Sequence, residues 1–243
     1  MSALPRRRPG STARSPLPRA ASPRHRTRIH LCFHGIGTAP AEREPGESRY
    51  WVAEALFLRV LDDVGQLPWV SLSFDDGNRS DAAVALPALR ERGLTATFFA
   101  LAGRLDDPAS LSPHDLRELA DAGMRIGTHG WHHRSWRQLT DAAARRELVD
   151  ARIALSEASG TDITEAALPL GQYDRAALAR LRAASYRAVY TSDRYPARER
   201  AWLRPRYSIA VDDTLDSVRR IAAGRPVPRA ARNAFASAVK RLR

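Results

Sequence analysis

Three of the seven histidines, His129, His132 and His133, fall inside the run Gly127-Thr-His-Gly-Trp-His-His133. His129 and His133 are four apart, a spacing that puts two imidazoles on one face of a helical turn and suits a zinc-like cation. His132 lies between them, points elsewhere, and reads as a surface or supporting histidine. Upstream, Ser71-Leu-Ser-Phe-Asp-Asp-Gly-Asn78 ends an apolar run in two acids and a glycine. Adjacent side chains on a strand face opposite sides, so Asp75 and Asp76 share a pocket only where Gly77 lets the chain break into a turn. Two carboxylates so close repel, and a cation between them relieves the repulsion. Taken alone, the run serves equally well as a surface turn with Asp capping the next helix. In Leu168-Pro-Leu-Gly-Gln-Tyr-Asp174, Pro169 and Gly171 shape a loop whose backbone N–H groups can face a ligand. In His30-Leu-Cys-Phe-His-Gly-Ile-Gly37, alternation puts His30, Cys32 and His34 on one face. His34 is nearest the strand end and best placed for a pocket, while Cys32 reads as core.

These residues follow apolar runs that alternate with helical patterns. Strands are expected at 28–33, 69–74, 95–101, 124–128, 166–169, 188–191 and 203–209. Helices are expected at 48–64, 81–92, 113–122, 141–159, 173–184 and 214–223, with Thr140 as the N-cap of the longest. Such alternation argues for an α/β fold with a parallel sheet and helical crossovers, and about seven strands suit an open or incomplete (β/α) barrel. In barrels of this kind chemistry gathers at the carboxyl ends of the strands.

The chain carries 39 Lys or Arg against 27 Asp or Glu, for a net charge of +12. Eight arginines lie in residues 1–28, and seven arginines with Lys240 lie in 218–243; neither stretch holds an acid. The body between them is net acidic. Basic ends suit contact with an anionic surface, and a solvated tail explains them as simply. The body has no basic-and-aromatic repeat, so specific nucleic-acid binding is not expected. Residues 1–27, rich in Pro, Arg and Ser, are expected to be a disordered tail. Residues 28–223 form one domain, and 224–243 a basic tail or amphipathic helix. In that last stretch Phe235, Val239 and Leu242 recur at helical spacing beside Arg232, Lys240 and Arg241, which could rest on anionic membrane. No apolar run approaches the ~18 residues of a membrane span. The N-terminal arginines precede no apolar stretch, so no secretory signal is read there. The single cysteine excludes an intrachain disulfide. The expected compartment is the cytoplasm, with peripheral contact at the inner membrane face.

Together the motifs resemble the polysaccharide deacetylases, the NodB-homology group or carbohydrate esterase family 4. Ser73-Phe-Asp-Asp-Gly77 is similar to the family's Thr-Phe-Asp-Asp-Gly motif. His129-Gly-Trp-His-His133 is similar to its His-Ser/Thr-x-x-His motif, with Gly130 where a hydroxyl residue is usual. Ala167-Leu-Pro-Leu-Gly171 is similar to its Arg-x-Pro-Tyr-Gly loop, without the arginine and the aromatic. The resemblance runs from about Ile29 to about Ile209. It implies a NodB-like incomplete barrel and a metal-dependent N-deacetylase acting on an N-acetylated sugar or glycan precursor. It implies Asp76, His129 and His133 as ligands of one divalent metal, zinc first, and Asp75 as general base, a division that spacing leaves open. Backbone N–H groups near Leu170 and Gly171 would meet the oxyanion. The family's usual Leu-x-His acid near the C-terminus has no counterpart, because no histidine follows His133. A branch acting on poly-N-acetylglucosamine carries that acid on its first strand, and Leu31-Cys-Phe-His-Gly35 is similar to that element. His34 is thereby the implied acid. Asp193 or Arg206 could orient Asp75, and Trp202 could stack on a sugar; loop ion pairs and a half-buried Trp account for these residues as readily. Two rivals stay open. One is a related metallohydrolase acting on another amide, and the other a non-catalytic binder working through its basic tails.

Overall fold

Alternation along the first strand decides how the sheet is covered. Ile29, Leu31 and Phe33 are fully buried in the main apolar core, with Phe57 and Val60 of the first helix. His30 and Cys32 take the other face. The same rule holds where Leu72 and Phe74 join that core while Ser73 and Asp75 turn away from it.

The computed structural model describes residues 27–40, 42–224 and 230–242. Apart from Thr27, the tail expected over 1–27 lies outside the described residues. In chain order the strands are β1 (Thr27–Phe33), β2 (Gly35–Ile36), β3 (Trp51–Val52), β4 (Val70–Asp75), β5 (Ala96–Ala100), β6 (Arg125–Thr128), β7 (Glu165–Ala167), β8 (Ala188–Thr191), β9 (Ala197–Arg198), β10 (Leu203–Pro205) and β11 (Tyr207–Ser208). The helices are α1 (Glu54–Val60), α2 (Leu86–Glu91), α3 (Pro113–Asp121), α4 (Asp141–Arg145), α5 (Ala151–Ser159), α6 (Arg175–Ala183), α7 (Leu215–Ala222) and α8 (Ala230–Leu242).

The main sheet runs β10-β8-β7-β6-β5-β4-β1-β11 with parallel neighbours, and β9 joins β1 antiparallel. β10 and β11 are separated in sequence by Arg206 alone, yet they sit at opposite edges of the sheet. The segment expected as one strand over 203–209 is therefore one broken stave that pairs with β8 on one side and β1 on the other. It brings the two edges together into an incomplete (β/α) barrel. Pro205 has no N–H to carry the ladder on, which favours the break there.

The barrel interior sets polar groups beside a small apolar cluster of Phe99, Ala167, Ala188 and Tyr190. His30 bonds Ser71, Tyr190 donates its hydroxyl to Glu165 (3.2 Å), and Arg204 donates to that same hydroxyl (2.7 Å). Burial, aided by Arg204, Arg206 and other arginines, lowers the His30 pKa to about 3, so this imidazole is neutral.

The helices differ from expectation at several places, with π turns at Leu61–Gly65 and Asp81–Ala85 among them. Of the helix expected over 48–64, residues 47–50 form only a 3₁₀ turn and 51–52 are β3, paired with β2. The Trp51 ring packs on Gly35 so closely that a Cβ there would collide with it. This packing overrides local propensity. The long helix starts at its Thr140 cap as expected, but widens into a π turn over Arg146–Asp150, which carries the buried Glu147.

Candidate functional site

β4 ends at Asp75, and the next two residues are left-handed: Asp76 at φ 72° and Gly77 at φ 62°. That reversal is what aims two neighbouring carboxylates into one pocket. A left-handed Asp is tolerated better than most residues, while Gly77 lies against the Ala100 backbone, where a Cβ would be tight. Asp75 is gripped by Arg206, which donates to Oδ1 (2.6 Å) and Oδ2 (2.5 Å). Arg206 is 1% exposed, also donates to Ser73 Oγ (3.1 Å), and lies over the rings of Phe99 and Tyr190. Burial alone would push the Asp75 carboxyl up. The Arg206 charge and hydrogen bonds, with His129, override burial and hold it well below the usual carboxylate range. Of the two groups considered for orienting Asp75, Arg206 is the one in contact. Asp193 bonds Tyr173, Thr191 and Lys240 instead.

Beyond β6 the histidines separate by role. His129 Nδ1 donates to the Ala167 carbonyl (2.9 Å), and His133 Nδ1 donates to Glu44 Oε2 (2.6 Å). Each leaves its Nε2 toward Asp76 Oδ1, at 3.4 Å for His129 and 3.2 Å for His133. That Oδ1 is buried without a hydrogen-bond partner. An unsatisfied buried carboxylate oxygen is costly, and a cation shared with both imidazoles would satisfy all three donors. Their separations suit bonds of about 2.0–2.1 Å to one tetrahedral centre. Asp76, His129 and His133 are thus a donor set that fits a divalent metal. Burial, outweighing the attraction of Asp75, lowers the His129 pKa to about 4, so the ring is in its neutral, ligating form. His132 turns outward to Glu147 (2.9 Å), as expected for a supporting residue. Glu147 also accepts from the Trp131 N–H (2.7 Å) and crowds Gly130, whose φ is 91°. A side chain at position 130 would strike that carboxylate, which accounts for glycine there.

A pocket of about 320 Å³ collects these groups with His34, Leu168, Leu170 and Gly171. His34 Nε2 is 4.0 Å from Asp75 Oδ2, and its ring packs beside Tyr50. Leu170 (φ 58°) and Gly171 (φ 61°) form consecutive left-handed residues in a tight turn on the pocket wall. Trp202 does not reach the pocket. Its Nε1 donates to the Tyr186 carbonyl (2.8 Å), Arg182 stacks 4.0 Å from its ring centroid, and it packs on the second apolar cluster beside Leu203. The expectation that it stacks on a ligand is corrected: just before β10 it is drawn to the outer packing layer.

Two participants were not foreseen. Glu44 bridges His133 and Arg104, the latter at 2.6 Å, from a loop that Arg43 ties to Glu47, Asn78 and Ser110. Glu44 sits in the acid-rich run Glu42-Arg-Glu-Pro-Gly46, which has no periodicity, and its partner is 89 residues away. The other is α8. Its inner face is engaged by the body through Ser237, Lys240 and Arg241, and Val239 lines a cleft of about 240 Å³ beside Leu170. Phe235 and Leu242 are 72% and 81% exposed. Among the described residues no helix is long and apolar enough to cross a membrane.

Comparison with known proteins gives one consistent result. The model of the polysaccharide deacetylase family matches residues 65–189. YxkH of Bacillus subtilis, which carries a polysaccharide deacetylase name, is 24% identical over 140 residues; the match covers 58% of this chain and 50% of YxkH. The match therefore spans only half the length of that relative. BC0361, a polysaccharide deacetylase from Bacillus cereus, superposes with a TM-score of 0.72 at 16% identity, over 81% of this chain and 69% of that one. The Streptococcus pyogenes deacetylase PplD, in complex with acetate, gives a TM-score of 0.67 at 20% identity, over 82% and 99%.

Proposed function

The chain belongs to the polysaccharide deacetylase family, hydrolases of carbon–nitrogen bonds other than peptide bonds, and on that premise we propose that it is a metal-dependent N-deacetylase of an N-acetylated sugar or glycan precursor. One observation carries the reading: the partnerless Asp76 Oδ1 faces His129 and His133 in the same pocket as the Arg206-held Asp75 and His34. A fold neighbour holding acetate, the small product of such a reaction, agrees with it.

A divalent cation held by Asp76, His129 and His133, with zinc the first choice, would supply positive charge that acidifies an attacking water and polarises the acetyl carbonyl. Asp75 is the base. Arg206 engages both of its oxygens, and Oδ2 also lies 3.9 Å from His129 Nε2 and 4.0 Å from His34 Nε2. The depressed carboxyl keeps Asp75 ionised at neutral pH, the form in which it can accept a proton. The Leu170 N–H donates to the carbonyl oxygen as negative charge builds there, an effect worth about 2.7–4 kcal/mol for one good donor. His34 protonates the departing amine.

Purified protein is expected to carry close to one divalent metal per chain and to release acetate from N-acetylated sugars. Chelation should stop the release and added zinc restore it. His129→Ala and His133→Ala should each lose the metal, and unchanged metal content in both variants would remove the site assignment. Hydrolysis of cyclic amides with no acetate from any sugar would move the reading to the rival substrate class.

Glu44 is expected to act through His133. A carboxylate on the far nitrogen of a ligating histidine fixes its tautomer and raises its basicity. Glu44→Gln should therefore weaken zinc affinity by about 10–100-fold, read by competition with a chelating dye. Affinity equal to wild type would show the His133–Glu44 bond to be incidental.

A further inference from the structure

The C-terminal helix reaches back to the turn that borders the acetamide pocket. Lys240 Nζ donates to the Gly171 carbonyl (3.0 Å) and to Asp193 Oδ1 (2.7 Å). Tyr173 donates to the other oxygen of Asp193 (2.8 Å), and Thr191 Oγ1 does the same (2.9 Å). Ser237, on the same helix and fully buried, joins the hydroxyls of Tyr173 (2.9 Å) and Tyr195 (3.0 Å). Helix and turn thus share one hydrogen-bonded network across up to 69 residues of sequence.

The turn needs such support. Leu170 at φ 58° adopts a backbone state that a leucine holds only where its surroundings over-determine it. Gly171, at φ 61°, lies so close to Ser192 Oγ that an added Cβ would force that hydroxyl aside. The Lys240 ammonium grips the carbonyl of that same residue. We propose that Lys240 is a positioning residue: it pins the Gly171 carbonyl and so fixes the peptide planes of the turn that presents the Leu170 N–H to the acetamide oxygen. The inference rests on the deacetylase reading above. It makes α8 a support behind the pocket wall, on the side of the neighbouring cleft that Val239 and Lys240 line.

The test uses the full chain carrying Lys240→Met or Lys240→Arg. A donor set off its geometry by an ångström can cost up to about 100-fold in rate. Lys240→Met is expected to lower kcat about 10–100-fold with KM and metal content unchanged. Amide hydrogen exchange across residues 168–174 should rise at the same time. The loss should be equal on an acetamide and on an activated acetate ester, because the oxyanion forms in both. Lys240→Arg keeps the charge and donors and should recover most of the rate. If Lys240→Met does not fold, Lys240→Gln, which keeps one donor group, takes its place. Unchanged kcat, unchanged exchange, a loss confined to the amide, or no rescue by arginine would each overturn the proposal. Wild-type inactivity on every N-acetylated sugar would instead sink the functional reading, and the exchange measurement would still decide whether Lys240 holds the turn.

Discussion

Asp75→Asn is expected to lower deacetylation by about 10²–10⁴-fold while the folded protein keeps its metal, and Asp76→Asn is expected to lose the metal itself. The two carboxylates are adjacent in sequence but hold opposite positions. Asp76 offers a bare Oδ1 to His129 and His133, whereas both oxygens of Asp75 are engaged by Arg206. An amide at position 75 keeps one acceptor and the shape, and removes the proton acceptor. It also leaves the buried Arg206 guanidinium without its counter-charge, which costs about 3–5 kcal/mol when one partner of a buried pair is removed. The variant should therefore melt earlier as well as turn over slowly, and rates and metal content have to be read below its transition. The sign of the pH effect follows from the depressed carboxyl. Its folded pKa lies below the unfolded value, so the pair's contribution is complete at neutral pH and is lost only as pH falls below the usual carboxylate range. Metal loss from Asp75→Asn with retention in Asp76→Asn would exchange the two assignments.

What the sequence discloses about this site depends on how local each interaction is. Asp75, Asp76, His129 and His133 lie in short runs at strand ends, where residue type and spacing carry the chemistry. The barrel is legible for the same reason, since in Ile29-His-Leu-Cys-Phe33 the large apolar residues alternate with His30 and Cys32, a local pattern that sorts them to two buried faces. Glu44, Arg206 and Lys240 find their partners 89, 131 and 69 residues away. Their neighbours in sequence resemble any charged loop or tail, and only closure of the barrel selects among them. Arg206 was named beside Asp193 with nothing to choose between them; the break between β10 and β11 decides it by turning position 206 inward. Trp202, read from its type alone as a sugar platform, shows the converse. An aromatic near a strand start is as useful to the outer packing layer, and the core under β8 claimed it. For α8 a helix forms over Ala230–Leu242, and the side holding Ser237 and Lys240 has a partner within the chain that spacing alone does not disclose.

His34→Ala is expected to keep fold and metal and to lower kcat for amide substrates by about 10² or more, with a much smaller loss on an activated acetate ester. Among the described residues the pocket imidazoles are those of His34, His129 and His133, and His34 is the one outside the Asp76–His129–His133 donor set. Its Nε2 lies 4.0 Å from Asp75 Oδ2, in the same pocket as the Asp76–His129–His133 donors, and its ring packs beside Tyr50. A substrate nitrogen lodged between the base and this ring would be within reach of both. The alternative, a histidine that merely ties down the glycine loop, needs a side-chain bond to that loop. The loop is instead tied by Asn78 donating to the His34 carbonyl (3.0 Å), while His34 Nδ1 has no hydrogen-bond partner. An imidazole can carry a proton and hand it to an amine that would otherwise leave as a strong base. An activated alkoxide leaves without that help. The comparison of substrates therefore separates His34 from Lys240: loss of the acid spares the ester, and loss of the oxyanion donor's support does not. Equal losses on both substrates, or none on either, would take His34 out of the acid role.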